Sequence, residues 1–281
     1  MEYRELYNGV KMPMLGYGVF QIPDYEEAKK SVLTALQAGY RLIDTAQAYG
    51  NEKAVGDAIK ESGIAREEIF ITTKVWVKDF TYEKALKAVE DSLEKLGTDY
   101  IDLMLLHQPI GDYYSAWRAL EKLYKDGKLK AIGMANCYPH VIADFCETVE
   151  IKPMVNQVEL HPFFQQENSL ATMKEYGIVP EAWGPFDEGL RNFFTDPTLT
   201  EIGKKYNKTA AQVALRWNIQ RGVVVIPKSV HKDRMEQNLD VFDFTLSKED
   251  MDKIATMDIG HSEIVNHFDP AFVKFIHSYK F

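Results

Sequence analysis

The sequence predicts an α/β protein built as a (β/α)8 barrel (a TIM barrel) preceded by an N-terminal β-hairpin. Three observations point there. Eight short, nearly continuous apolar runs alternate with helical stretches at roughly 25–45 residue intervals, the pattern of parallel strands covered by helices. No compositional break or Pro/Gly/Ser-rich linker interrupts residues 1–281, so the chain reads as one domain. Finally, the residues at the C-terminal ends of the apolar runs are nearly all polar or aromatic, and that is the end of a barrel where chemistry sits. A doubly wound sheet is the alternative architecture. Its glycine fingerprint fails, because Gly16-Tyr17-Gly18 has no third glycine three residues on.

The elements follow in order. Asn8-Gly9 is a hairpin turn dipeptide, and Met14 to Phe20 supplies the first strand run. Tyr25 to Ala38 is a helix stopped by Gly39. Tyr40 to Ile43 is the second strand, delivering Asp44 at its end, and a helix covers about 52–62. Ile69 to Thr73 is β-branched and ends at Lys74. Thr81 caps a helix whose Ala85, Leu86, Val89, Leu93 and Leu96 share one face, closed by Gly97. Tyr100 to Leu106 ends at His107, and Ser115 is read as the cap of the helix that Gly127 closes. Lys130 to Met134 leads to Ala135-Asn136, then a helix near 139–148. Met154 to Val158 carries Asn156 and Gln157, a helix at 167–176 stops at Gly177, and Ile178 to Trp183 is the seventh run. A long loop from Gly184 to about Pro197 suggests a lid or binding segment. Thr209-Ala-Ala-Gln212 is a capping box for a helix to about Arg221. Val223 to Ile226 is the last strand, two helical stretches follow, and an aromatic-rich tail runs from His267 to Phe281.

With 33 Lys plus Arg against 42 Asp plus Glu, the net charge of −9 excludes a general nucleic-acid binder while leaving room for a local basic pocket. Cys137 and Cys146 form neither a C-x-x-C pair nor a disulfide framework. There is no signal-peptide pattern and no run long enough to span a membrane, so a cytoplasmic protein is expected. The seven histidines lack H-x-H or H-E-x-x-H spacing, so no metal is expected, and His261 and His267 read as surface or packing residues.

At the ends of the runs stand Asp44, Lys74, His107, Asn136, Gln157, Trp183 and Lys228. Alone, an acid such as Asp44 before a helix is an ordinary cap. Seven such residues on one mouth are a site. With Tyr49 on the loop after Asp44, the set makes sense as a proton donor. A phenol near pKa 10 is a reluctant acid at neutral pH, and a neighbouring ammonium lowers that value. A carboxylate keeps the ammonium charged, and a histidine at the same mouth polarises a carbonyl oxygen. Such a site supplies no electrons, so a reduction needs a hydride from a cofactor.

The motifs Gly39-Tyr-Arg-Leu-Ile-Asp44-Thr-Ala-Gln-Ala-Tyr49-Gly-Asn-Glu, Lys74-Val-Trp76, Leu-Leu-His107-Gln-Pro, Asn156-Gln157-Val-Glu-Leu-His-Pro and Ile-Pro-Lys228-Ser229-Val carry a resemblance. The chain resembles the aldo-keto reductases over essentially its whole length. It is most similar to the short microbial branch of diketogluconate and methylglyoxal reductases. The resemblance implies NADPH-dependent reduction of aldehydes and ketones, with Tyr49 as general acid, Lys74 and Asp44 tuning it, and His107 orienting the carbonyl.

By the same resemblance, Asn136 and Gln157 hold the nicotinamide carboxamide and Trp183 stacks on the ring. Ala135 stands where the family usually has a serine that reaches the carboxamide. Lys228, Ser229 and Arg234 surround the 2′-phosphate of NADP, and Gln237 and Asn238 the adenosine. Arg234 and Asn238, four apart, share a helix face, and a guanidinium with an ammonium suits a phosphate. Phe20 and Trp76 are expected as pocket walls, and Gln108 stands where many relatives have tryptophan. A small-molecule substrate and a monomer are implied. Two other readings remain: a barrel aldolase using Lys74 as a Schiff base, and a non-catalytic NADPH-binding sensor on the same barrel.

Overall fold

The computed structural model describes residues 1–279; Lys280 and Phe281, the end of the expected tail, lie outside the described residues. The Asn8-Gly9 turn joins β1 (Tyr3–Glu5) to β2 (Lys11–Pro13) in an antiparallel hairpin, with Tyr3 opposite Pro13. The alternation then begins: β3 (Tyr17–Gly18), α1 (Tyr25–Ala38), β4 (Leu42–Asp44), α2 (Glu52–Ser62), β5 (Phe70–Val75) and α3 (Tyr82–Leu96). It continues with β6 (Leu103–Leu106), α4 (Tyr113–Lys125), β7 (Ile132–Ala135), α5 (Pro139–Thr148), β8 (Val155–Glu159), α6 (Glu167–Glu175) and β9 (Val179–Trp183). Then come α7 (Pro197–Tyr206), α8 (Ala210–Gln220), β10 (Val224–Val225), α9 (Lys232–Leu239), α10 (Lys248–Ala255) and α11 (Pro270–Ser278).

Strands β3 to β10 form one sheet in which each pairs in parallel with its neighbours in chain order. The sheet closes on itself. Val225 donates its amide to the Met14 carbonyl at 3.0 Å, Gly16 donates to Val225 at 2.8 Å, and Gly18 donates to Pro227 at 3.1 Å. This seam explains the glycine pair that fails as a dinucleotide motif. A Cβ on Gly16 would fall 2.2 Å from the Leu42 side chain, and one on Gly18 would fall 3.0 Å from the Ile226 carbonyl. The glycines serve strand closure, not phosphate.

Helix ends follow local chemistry. Asp24 caps α1, Thr81 caps α3, and Gly39 and Gly97 end them in the left-handed conformation that a Cβ disfavours. The Thr209–Gln212 capping box is present in full. Apolar helix faces cover the outside of the sheet, with Trp117 and Trp217 among the largest fully buried side chains. The apolar strands therefore have a dry surface on each face, which is why their sequence runs are nearly continuous.

The structure corrects several local expectations. Most strands are shorter than the apolar runs, and several are shifted toward the polar residues: Asp44 is the last residue of β4, and Lys74 lies inside β5. Helix α4 is capped by Asp112, whose carboxylate accepts from the Ser115 amide at 3.2 Å. Ser115 is thus a turn inside, because two tyrosines extend the helix backwards to a better acceptor. Helix α7 follows where only a loop is expected, opened by Asp196 as cap and Pro197 as first-turn proline. The expected tail contains a helix of its own, α11, also opened by an Asp-Pro pair.

Candidate active site

Strands β4 and β5 bring Asp44 and Lys74 together at the mouth of the barrel. Lys74 Nζ lies 2.7 Å from Asp44 Oδ1, 2.9 Å from the Thr45 carbonyl and 3.4 Å from the Tyr49 hydroxyl. These three contacts use all three ammonium hydrogens. Tyr49 ends a short 3₁₀ turn, Gln47–Tyr49, that Gly50 closes with φ of 70°. Asn51 holds this loop in place. It accepts from the Thr45 hydroxyl at 2.8 Å and donates to the Val19 and Ile22 carbonyls at 2.9 and 3.1 Å. Gln47 fastens the next loop, donating to Asp79 at 2.9 Å and accepting from the Trp76 amide at 3.0 Å.

Burial penalises the charge on Lys74, but Asp44, Tyr49 and the hydrogen bond outweigh it, and the ammonium is held above its ordinary pKa. Burial raises Asp44, with Lys74 and the Gln157 hydrogen bond pulling the other way. For Tyr49 burial again dominates, with Lys74 opposing it, so the phenol stands above its usual value. The ammonium acts in the expected direction, and burial exceeds it. Lys74 offsets the cost of ionising a sheltered phenol without overcoming it. His107 is pushed well below the ordinary histidine value, first by burial and then by Lys74. It is a neutral imidazole at physiological pH.

Around this floor lies a cavity of about 550 Å³. Phe20, Asp44, Tyr49, Trp76, His107 and Gln108 line one side; Asn136, Gln157, Trp183 and Lys228 line the other. Trp76 stands edge-on to His107 with ring centres 5.0 Å apart, and Phe20 leans on Tyr49 at the same distance. Phe20 is half-exposed, at the rim. Gln108 is buried, and its Oε1 has no hydrogen-bond partner among the described residues. From the tail, Val265, His267, Phe272 and Tyr279 complete the wall, so the segment from His267 does close over the pocket. His267 lines the cavity while packing against Tyr138 and Phe272. Burial drives its pKa down to about 4.

The carboxamide side chains are tied into one network. Asn136, at φ of 61°, donates to the His107 carbonyl at 3.0 Å and accepts from the Trp183 indole at 2.8 Å. Gln157 donates through Nε2 to Asp44 Oδ2 at 2.8 Å and to Glu181 Oε2 at 2.9 Å. Ala135 is the last residue of β7, opposite Gln157.

Beyond the cavity, Ser229 is nearly buried, its hydroxyl accepting from the His231 amide at 3.1 Å and its carbonyl from Tyr17 at 2.6 Å. Arg234 and Gln237 are exposed on α9, whereas Asn238 is buried. Lys232 faces Glu236 at 3.6 Å, whereas Lys228 and Arg234 have no ion pair among the described residues.

Some of what organises the site is invisible to motif reading. Glu181 sits inside β9, directly across from Gln157, and is wholly buried. Glu159, His161 and Asp187 form a second buried charged group with ligand atoms within 4.8 Å of one another. One ring nitrogen of His161 lies 3.1 Å from Glu159 and 3.4 Å from Asp187, while Ser262 donates to Glu159 at 2.6 Å. That group joins the end of β8, the segment after β9 and the stretch before α11. An ion pair between Arg191 and Glu263 adds a second clasp between the last two. The segment 187–192 carries a run of positive φ angles, which no periodicity signals.

The sequence profile of the Aldo/keto reductase family matches residues 14–259. Glyoxal reductase of Bacillus subtilis (strain 168) is 53% identical over 251 residues, covering 89% of this chain and 90% of that protein. Methylglyoxal reductase DkgA of Escherichia coli (strain K12) is 42% identical over 259 residues, covering 91% and 93%. An aldo-keto reductase from a Medee basin deep-sea metagenome library superposes with a TM-score of 0.92 at 45% identity, over 96% of this chain and 99% of that one. A Bombyx mori aldo-keto reductase in complex with NADP superposes with a TM-score of 0.89 at 33% identity, over 95% of each chain. The eight-stranded barrel, the family profile and these identities lead to one conclusion: the chain belongs to the aldo/keto reductase family.

Proposed function

We propose that this protein reduces aldehydes and ketones to alcohols with NADPH, Tyr49 giving the proton to the carbonyl oxygen. The observation that carries the reading is the Asp44–Lys74–Tyr49 chain of contacts on the floor of an aromatic-walled cavity, with a neutral His107 beside it. Relatives acting on glyoxal and methylglyoxal, and a neighbour crystallised with NADP, support it.

The residues present fit the cofactor. Gln157 has both amide hydrogens engaged, and its Oε1, which accepts from no described residue, is left to receive a carboxamide N–H. Asn136 keeps one amide hydrogen to donate, and Trp183, fixed by its indole hydrogen bond to Asn136, lines the cavity. With Ala135 in place of a hydroxyl, one contact is missing, a loss on the order of 1 kcal/mol. Ser229, Gln237 and Asn238 belong to the adenosine end of the same reading. Lys228 and Arg234, without ion pairs of their own, suit the extra phosphate of NADP.

When bound, NADPH supplies the hydride. The chain's own groups handle the oxygen. His107 donates to it, and its low pKa keeps it a neutral donor instead of a competing acid. As negative charge develops on that oxygen, Tyr49 gives up its proton, and the adjacent ammonium stabilises the phenolate left behind. Phe20, Trp76 and the tail exclude water, while Gln108 offers one polar contact to the substrate. An aldolase fits this geometry poorly. A Schiff-base lysine must be neutral part of the time, and every hydrogen of Lys74 is engaged in holding it charged.

The same reading takes residues 1–281 as one barrel domain, acting as a cytoplasmic monomer on small molecules rather than on nucleic acid or a membrane. No helix among the described residues is long and apolar enough to cross a bilayer. The test is NADPH consumption with glyoxal, methylglyoxal, an aromatic aldehyde and a keto-sugar. Native turnover should fall by about 100-fold or more in Tyr49→Phe with NADPH binding retained. Saturable binding without turnover on any carbonyl would instead support the sensor.

A further inference from the structure

The Gln157 carboxamide could face the cavity with either its oxygen or its nitrogen, and the two orientations present opposite hydrogen-bonding character to a ligand. Its inner end meets two carboxylate oxygens, Asp44 Oδ2 at 2.8 Å and Glu181 Oε2 at 2.9 Å. Two acceptors on one side require the nitrogen there. Its two hydrogens match the two oxygens, and a reversed amide would set oxygen against oxygen. Asp44 alone accounts for only one of those hydrogens. Glu181 has no other described hydrogen-bond partner, its Oε1 being buried and unsatisfied, so its one contact is with Gln157. Registry holds the pair together, since Gln157 and Glu181 are directly opposite on β8 and β9.

We propose that Glu181 is a positioning residue that locks Gln157 with its oxygen toward the cavity, and so fixes how the chain receives the amide of the nicotinamide. The assignment rests on the reading of the cavity as an NADPH site. The groups facing Glu181 are Gln157 by hydrogen bond, and Asp44, Lys74 and Tyr49 through their charges. Burial, reinforced by Asp44, raises the Glu181 carboxyl to about 8. At neutral pH it is therefore protonated, the proton on Oε1, which faces no described partner, leaving Oε2 as the acceptor that meets Gln157. Above that pH its charge adds to that of Asp44, which further disfavours ionisation of Tyr49.

The experiment measures NADPH dissociation constants for the native chain, Glu181→Gln, Glu181→Leu, Gln157→Ala and the Glu181→Leu/Gln157→Ala double variant. Glu181→Gln can still accept from Gln157 and should stay within about twofold of native. Glu181→Leu should weaken binding by about fivefold to tenfold, and that effect should vanish once Gln157 is alanine. Additive losses, or no loss in Glu181→Leu, would overturn the proposal. No NADPH binding by the native chain would defeat the underlying reading instead, so the two failures are distinct. Should Glu181→Leu not fold, the Gln157 side-chain amide signal in NMR decides. It should move with pH near 8 in the native chain and stay still in Glu181→Gln; motion in both, or in neither, overturns the assignment.

Discussion

Arg234 and Glu181 show how differently single residues carry a site. Arg234 is exposed and without an ion pair among the described residues, so its side chain has little structural work to do. Arg234→Ala should leave the melting temperature within a degree or two while raising KM for NADPH about tenfold and KM for NADH hardly at all. Equal effects on the two cofactors in steady-state assays would remove the phosphate role. Glu181 is the opposite case, buried and invisible from solvent. Its carboxyl is raised from an ordinary 4.5 to about 8, so across that range the folded chain holds a proton that the unfolded chain has released. The stability from this group is complete below 4.5 and is lost as pH rises toward 8. Urea titrations should therefore show the native chain losing stability relative to Glu181→Gln as pH rises from 5 to about 8, and a constant gap would count against the buried neutral acid.

At the scale of elements, the start of α4 separates what sequence can show from what it cannot. Asp112→Ala should cost about 1 kcal/mol in chemical denaturation and Ser115→Ala almost nothing, the reverse of what the sequence pattern alone suggests. The period and the stop signals of helices are local, so α1, α3 and α8 were legible to within a residue or two. The strands were legible as apolar runs but not in their limits, because registry with a neighbour decides where pairing ends. Asp44, Lys74 and His107 announced themselves through position near strand ends, and Tyr49 through the loop that follows Asp44. Asn51 and Glu181 did not, since an asparagine at a helix start and a glutamate in a strand have many ordinary uses. Only the tertiary pairing of Asn51 with Val19 and Ile22, or of Glu181 with Gln157, reveals theirs. His161 gives no signal of its own in the sequence, because one of its carboxylates, Glu159, is two residues away and the other, Asp187, comes from beyond α6 and β9.

For the whole molecule, the cavity is built by contributions from nearly every strand end together with the tail, so site and barrel stand or fall together. The pair of His161 with Asp187 ties the segment after β9 to the end of β8, and that of Arg191 with Glu263 ties it to the stretch that precedes α11. Phe186, Glu188, Ile264 and Val265 of these segments line the cavity, which ties access to their local opening, without requiring the barrel to move.

The seam between the first and last barrel strands has a consequence of its own. It is closed by two of the shortest strands, and Phe20 and Lys228, which follow them, face the same cavity. A ligand touching both would act as a rivet across the joint, tightening a cylinder at the point where it is most easily unzipped. In hydrogen-exchange experiments the amides of Gly16, Gly18 and Val225 should slow on addition of NADPH, by up to about 100-fold at 100 times the dissociation constant. Amides between β6 and β7, on the far side, should change less. A uniform slowing around the ring would mean that the cylinder opens as a unit and has no preferred place to come apart.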